Sequence, residues 1–441
     1  MPVLMPLHGI GTRSDLPLPF SFVVLGAALA LVVSFVVLFF AWRRPRYAKL
    51  AGRPLPALTA IVDLPLFRLA ARLLVLGLYL WVGLAAVAGR DLLTNPSFGF
   101  VFVWMWVGLV PLSLLLGPFW RYTNPLRTIH RGLCAVAGTD VGTGVATLPQ
   151  RLGVWPAAVT LFGFVWLELI QPNRTTLPVL RLWAVAWVVV VLVGAVAFGA
   201  RWIEAADPFE AYANVLAQIS PLRRVGGDIS LVNPMVGLNS WSPQPGTAAV
   251  VAVLLGSTAF DSFTNTSWWI STVQGSDVSS LVWGTGGLLV MIAMVMTSFA
   301  LATRWMARSA AAPGIRPADY PRRMAGSLVP IAVGYAVAHY ATLLVIEGQR
   351  TAINLSDPLG RGWNVFGSAE MGVNASIYSY PAAIALVQLG AIVAGHVVGI
   401  VAAHEKALSL LRRDATLTGQ WPLLVVMVGY TCAGLVLLFS P

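Results

Sequence analysis

Uninterrupted apolar blocks recur along this chain, each roughly 17 to 25 residues long, the length at which an α-helix crosses the hydrocarbon of a bilayer. Ten are read: Phe20–Trp42, Leu73–Gly89, Phe98–Trp120, Val154–Ile170, Thr176–Ala200, Thr247–Phe263, Ser280–Thr303, Gly326–Glu347, Pro381–Ala403 and Trp421–Phe439. Too few charges remain to clothe a water-facing surface. Only 10% of the residues are charged, against about 25% in a soluble domain. The expected fold class is all-α: a polytopic integral membrane helix bundle of about ten transmembrane helices, forming a single transmembrane domain over residues 1–441.

The formal charge of +11 comes almost wholly from arginine. In a soluble chain that excess would suggest nucleic acid; here the basic residues flank apolar blocks, so the bilayer is the partner and nucleic acid is not. If the loops after the odd-numbered spans face the cytoplasm, they hold 22 of the 28 basic residues. The positive-inside rule then places both termini outside. The arginine bias, with abundant Ala, Val and Gly, points to a bacterial plasma membrane. The two cysteines supply neither a disulfide framework nor a metal cluster. The opening "MPVLMPLHGIGTRSDLPLP" lacks the basic start and apolar stretch of a cleaved signal.

Three connections are long. The cytoplasmic loop 121–153 opens with "RYTNPLRTIHRGL", a basic helix expected to lie in the interface. In the cytoplasmic loop 201–246, Asp207 before Pro208 predicts a capped short surface helix. The outer loop 348–380 carries Trp363, Phe366, Tyr378 and Tyr380, which could fold it over the bundle as a lid. The first and sixth spans do not match as inverted repeats: the first is continuous and apolar, the sixth polar, with an expected break at "AFDSFTNTSWW".

Ionisable groups at membrane depth cost roughly 2.5–3.5 kcal/mol on insertion scales, so they face the bundle interior. His339, in "GYAVAHYATLL", and His396, in "GHVVGIVAAHEKAL", are the mid-membrane pair on adjacent antiparallel spans. His404, eight residues beyond His396, falls about 12 Å lower, at the inner surface. Asp261 closes the sixth span among Thr264, Asn265 and Thr266; Glu168 closes the fourth, and Glu347 the eighth. Converging, these side chains would form a catalytic set of His339, His396 and Asp261. With Glu168 and Glu347 added, the five make a ligand set for a divalent metal that activates water. Each has a plain structural reading too. A neutral imidazole can simply bridge helices, and carboxylates one turn inside a span end reach headgroup water. Two facing histidines could instead hold a haem. HExxH, GxSxG and Walker motifs are absent, and "GTDVGTG" lacks the lysine of a phosphate loop.

Five stretches, "HGIGTRSDLPLP", "WRYTNPLRTIHR", "VLLGSTAFDSFTNTSWW", "SDPLGRGWNVFGSAE" and "GHVVGIVAAHEKAL", spread over nearly the whole chain. In them the chain resembles a bacterial multi-pass family carried under the name fenitrothion hydrolase, an organophosphorus triester hydrolase. The resemblance implies that the polar groups above recur as a unit. It also implies a membrane-embedded hydrolase of apolar organophosphate-like esters, with His339 and His396 as metal ligands or general bases and Asp261 orienting water. Three other classes stay open on the residues alone: a transporter of a small solute or cation, a haem or quinone electron carrier, and a non-catalytic subunit docking partner subunits through its cytoplasmic loops.

Overall fold

The computed structural model describes residues 19–47, 49–412 and 418–439. Most of "HGIGTRSDLPLP" lies outside the described residues. In chain order the chain forms α1 (Phe20–Ala41), β1 (Gly52–Pro54), α2 (Pro56–Asp63) and α3 (Pro65–Ala88). Then come α4 (Pro96–Gly99), a π-helical stretch (Phe100–Met105), α5 (Leu109–Leu116), α6 (Trp120–Thr123) and α7 (Pro125–Ala137). Next are α8 (Trp155–Leu169), α9 (Leu177–Phe198), α10 (Ala200–Ala206), α11 (Pro208–Leu216), β2 (Leu222–Val225) and β3 (Asp228–Val232). The remainder is α12 (Pro234–Ser240), α13 (Thr247–Thr264), α14 (Ser267–Gln274), α15 (Ser280–Ala310), α16 (Tyr320–Met324), α17 (Val329–Asn354), α18 (Pro381–Leu410) and α19 (Trp421–Leu438). Contacts divide these into two compact units. One is built from the described residues of 1–51, 233–342 and 376–441; the other is Gly52–Val232 with Leu343–Ala375.

The fold is an all-α bundle, and every expected apolar block is helical. Among the described residues eight helical segments are long and apolar enough to cross a bilayer: those of α1, α3, α9, α13, α15, α17, α18 and α19. Their outward faces are apolar, with Phe22, Leu25 and Leu29 on α1 and Leu182, Val185 and Val193 on α9 all exposed. Water would not tolerate such faces, and acyl chains solvate them. Two blocks depart from the expected ten. The third bends by 43° between Met105 and Leu109. There Gly108 N–H reaches back five residues to Val103 O, and Pro111 has no N–H to continue the ladder. The fourth, α8, has 15 residues, below the roughly 17 that span the hydrocarbon. The sixth block breaks within "AFDSFTNTSWW", as expected: α13 runs to Thr264 and α14 restarts at Ser267.

The long connections differ more. Four Asx-Pro pairs start helices: Asn95-Pro96, Asn124-Pro125, Asp207-Pro208 and Asn233-Pro234. In each the Asx side chain accepts an N–H from the residue two positions on, while proline presets the first helical turn. The capped helix α11 is buried along almost its whole length, not on the surface as expected. The basic helix α7 turns Arg127 and His130 inward instead of presenting them to headgroups. Segment 201–246 also holds strand, which the all-α expectation missed. β2 and β3 form a hairpin whose two turn residues, Gly226 and Gly227, both have positive φ, and β1 pairs on the other side of β3. α17 carries on to Asn354, so the outer connection begins later than expected. Its Phe366, Tyr378 and Tyr380 are largely exposed, and Phe366 meets Trp81 of α3 edge-on at 5.9 Å between centroids.

Within the first unit α18 lies close against the start of α17, and glycine makes this approach feasible. A Cβ on Gly334 would stand 2.4 Å from Ala391 O, and one on Gly395 2.6 Å from Pro330 O. Gly395 and Gly399 form a small-x-x-x-small stripe. Replacing Gly395 by alanine gains helix propensity of about 1 kcal/mol. It also forces backbone apart at a cost of roughly 1–3 kcal/mol. Gly395→Ala is therefore expected to lower the melting temperature in detergent. Gly390→Ala, where a Cβ would meet nothing within 4 Å, is expected to leave it unchanged or raise it.

Candidate functional site

The last turn of α13 and the middle of α17 bring five polar side chains into one hydrogen-bonded chain. Asp261 and Ser262 are sequential on α13; Tyr335 and His339 are one turn apart on α17, followed by Tyr340. His339 Nε2 lies 2.8 Å from Asp261 Oδ2, and the Tyr340 hydroxyl donates to the same oxygen at 3.3 Å. On the other ring edge, Ser262 Oγ stands 3.4 Å from His339 Nδ1 and 3.3 Å from the Tyr335 hydroxyl. The His339 ring meets Tyr340 edge-on at 4.6 Å between centroids. All five are buried: Asp261 and Ser262 are each 4% exposed and His339 2%.

The polarity of the chain follows from its chemistry. An ionised Asp261 only accepts, so Nε2 carries the imidazole proton and donates it. Nδ1 then accepts from the Ser262 hydroxyl, whose oxygen accepts from Tyr335. A base whose far side is held by a carboxylate, with a hydroxyl at its near side, is the arrangement used to activate hydroxyl nucleophiles.

The other expected site residues do not join this chain. His396 is buried on α18, but its Nδ1 donates 2.8 Å to Ile392 O, one turn back on its own helix, and its buried Nε2 has no hydrogen-bond partner. The expected pairing of His396 with His339 is thus not made, because the imidazole closes onto its own helical turn. Glu347 pairs with Arg350 at 2.9 Å. Glu168 is partly buried on α8, where its charge, after burial itself, raises the Tyr212 hydroxyl above its ordinary range. Both glutamates belong to the second unit, and Asp261, His339 and His396 to the first. Among the described residues no three His, Cys, Asp or Glu side chains gather as a metal site, so the expected five-ligand set for a divalent metal does not fit. The haem reading fits no better, since both ring nitrogens of His339 are engaged by side chains.

His404 is buried beside the end of α1 and the start of α19, where it pins the segment after α1. Its Nε2 donates to Trp42 O at 2.9 Å and its Nδ1 meets Gln420 Oε1 at 2.9 Å. The neighbouring Glu405, unremarked in the sequence, accepts the Arg46 and Tyr47 backbone N–H groups, each at 2.6 Å, and the Trp42 indole at 3.0 Å.

The second unit holds another buried polar group that sequence reasoning missed. Arg127 on α7 grips Glu210 on α11 with two guanidinium nitrogens, Nε at 2.6 Å from Oε2 and Nη2 at 2.5 Å from Oε1. Asn124 Nδ2 bridges Glu210, at 3.0 Å, to Asp207 Oδ2, at 2.6 Å. Asp207 Oδ1 accepts from Trp187 Nε1 and Phe209 N–H. The available signal was a matched pair of tetrapeptides, Asn124-Pro-Leu-Arg127 and Asp207-Pro-Phe-Glu210. Each caps a helix and sets a complementary charge one turn in. Every carboxylate oxygen is engaged, so the cluster reads as a docking joint. Burial, then the charge of Glu210, push the Asp207 carboxyl up to about 7. A separate polar cavity of about 420 Å³ is lined by Arg90, Asn354, Asp357, Trp363 and Glu370.

Comparison with protein-family models, with characterised proteins and with solved structures found no match to this chain.

Because folding raises the Asp207 carboxyl from 3.8 to about 7, the folded state binds the proton more tightly than the unfolded chain. Stability from this group is then full below pH about 4, falls as pH rises towards 7, and is flat above. Thermal melts of Asp207→Asn across this window are expected to show a shallower decline than the parent protein.

Proposed function

We propose that this membrane protein is an enzyme that hydrolyses apolar esters, with His339 as general base and Asp261 as the group that orients it. The observation carrying this reading is the buried Asp261–His339–Ser262 chain, with 2.8 Å and 3.4 Å contacts on opposite edges of one imidazole. The resemblance to a family named for organophosphorus triester hydrolysis supports phosphotriesters as the substrate class. Such substrates concentrate in the bilayer, beside the apolar faces of this bundle.

The atoms of the reaction balance with these residues and water. A water oxygen bonds to phosphorus while its proton passes through the Ser262 hydroxyl to His339 Nδ1. The bond from phosphorus to the leaving aryl or alkyl oxygen breaks, and that oxygen departs with the electron pair. Asp261 stabilises the imidazolium, which returns its proton to the leaving oxygen. The products are a phosphodiester and an alcohol or phenol. Since Asp261, Ser262 and His339 are sealed from water, substrate entry requires a local opening around the end of α13.

A second reading rests on the continuity of the chain from Tyr335 through Ser262, His339 and Asp261 to Tyr340. A series of this kind can pass protons and would suit a proton-coupled transporter.

Proteoliposomes assayed with a chromogenic nitrophenyl dialkyl phosphate, and loaded with a pH-sensitive dye, separate the two. Hydrolysis is expected from the parent protein, with His339→Gln lowering kcat/KM by about 10²–10⁴. Asp261→Asn is expected to cause a comparable loss, and His396→Gln to stay near the parent rate. Unchanged turnover in His339→Gln sinks the enzyme reading. Dye acidification that depends on His339 without ester turnover selects the proton pathway.

A further inference from the structure

The second unit contains an apolar cavity of about 320 Å³, unrelated to the Asp261–His339 chain. Its walls are Leu58 and Val62 of α2, Phe67 and Ala71 of α3, Phe119, and Ile229 of β3. Three arginines, Arg68, Arg223 and Arg224, line it as well, and no carboxylate does. Asp63, at the end of α2, is a counter-charge that Arg68 and Arg224 share, and Arg223 donates to Gln218 Oε1. Arg72, one turn beyond Arg68 on α3, holds Tyr122 O at 3.2 Å. The site therefore combines a hydrocarbon interior with a net cationic edge.

Its surroundings place it at the level of headgroups. α2 buries none of its residues, and Ile61, Leu64, Leu66 and Phe67 are exposed beside these arginines. Apolar side chains displayed among guanidinium groups suit the boundary between acyl chains and phosphates. The same arginines belong to the loops that the charge distribution assigns to the cytoplasmic face, where the leaflet is anionic. The volume is at the lower end of the roughly 300–1,000 Å³ typical of small-molecule sites, room for part of an acyl chain but not a whole lipid.

We propose that this cavity is a binding site for an anionic phospholipid of the surrounding leaflet, with an acyl chain between α2, α3 and the β2–β3 hairpin and the phosphate against Arg68 and Arg223. The proposal is independent of the reading of the Asp261–His339 chain. A zwitterionic lipid would fill the cavity equally well but would add its own positive charge at the arginine edge.

The test uses the full chain, in detergent or nanodiscs, with a phosphatidylglycerol carrying a photoreactive diazirine on its acyl chain. Labelling is expected to concentrate on peptides covering Leu58–Ala71 and Leu222–Ile229. Excess phosphatidylglycerol should suppress it, and phosphatidylcholine of the same chains should do so poorly. Each of Arg68→Gln and Arg223→Gln is expected to weaken competition by phosphatidylglycerol about fivefold, as loss of one basic side chain near a membrane surface does. Ala71→Phe, which fills the cavity, should abolish labelling there while Arg68 and Arg223 remain. Labelling spread evenly over the lipid-facing helices, or equal competition by phosphatidylcholine, overturns the proposal. The unsubstituted protein alone decides it should a variant fail to fold.

Discussion

A carboxylate sealed from water has to be neutralised where it lies, because the low dielectric that surrounds it makes an unpaired charge cost several kcal/mol. That constraint organises both units of this protein. In the second, Glu210 draws Arg127 and Asn124 onto it, and so brings the N-terminal ends of α7 and α11 together. In the first, Asp261 draws His339 and Tyr340, and so joins the end of α13 to the middle of α17. Glu405 does the same for the chain leaving α1, gathering three N–H donors from Trp42, Arg46 and Tyr47. Helices that hydrocarbon would leave free to slide are held in register by a few directional contacts.

The two largest of these clusters differ in what they can do. Arginine keeps its proton under all ordinary conditions, so the Arg127–Glu210 pair is a fixed joint, and its bidentate geometry sets an angle between helices. Histidine exchanges its proton readily and presents two distinct nitrogens. With Asp261 on one nitrogen and Ser262 on the other, His339 has a direction for proton flow built into its surroundings. That difference, and not burial, makes the first cluster the candidate for chemistry.

How much was legible beforehand differs by level. The apolar blocks located every long helix, since twenty or so apolar residues have no other stable state in a bilayer. Asp207 was readable as a cap because capping is local. The bend after Met105 was written in Gly108 and Pro111, though block length alone concealed it. Asp261 and His339 were singled out because a polar residue in hydrocarbon needs a partner, and they proved to be each other's. The same logic overreached at His396, whose imidazole found an acceptor within its own helix. At His404 it supplied the need for a partner but not its identity, which is Trp42 O and Gln420.

What the sequence determined by itself was therefore whatever depends on neighbours along the chain: helix length, membrane residence, caps, and which residues would have to be paired. What only the tertiary structure decided was who pairs with whom. Arg127 and Glu210 are 83 residues apart, Asp261 and His339 78. No local periodicity links such positions. The physical reason is that apolar burial is nondirectional and can be counted along a sequence. A hydrogen bond demands an angle and a distance in space, and these exist only once the helices have packed.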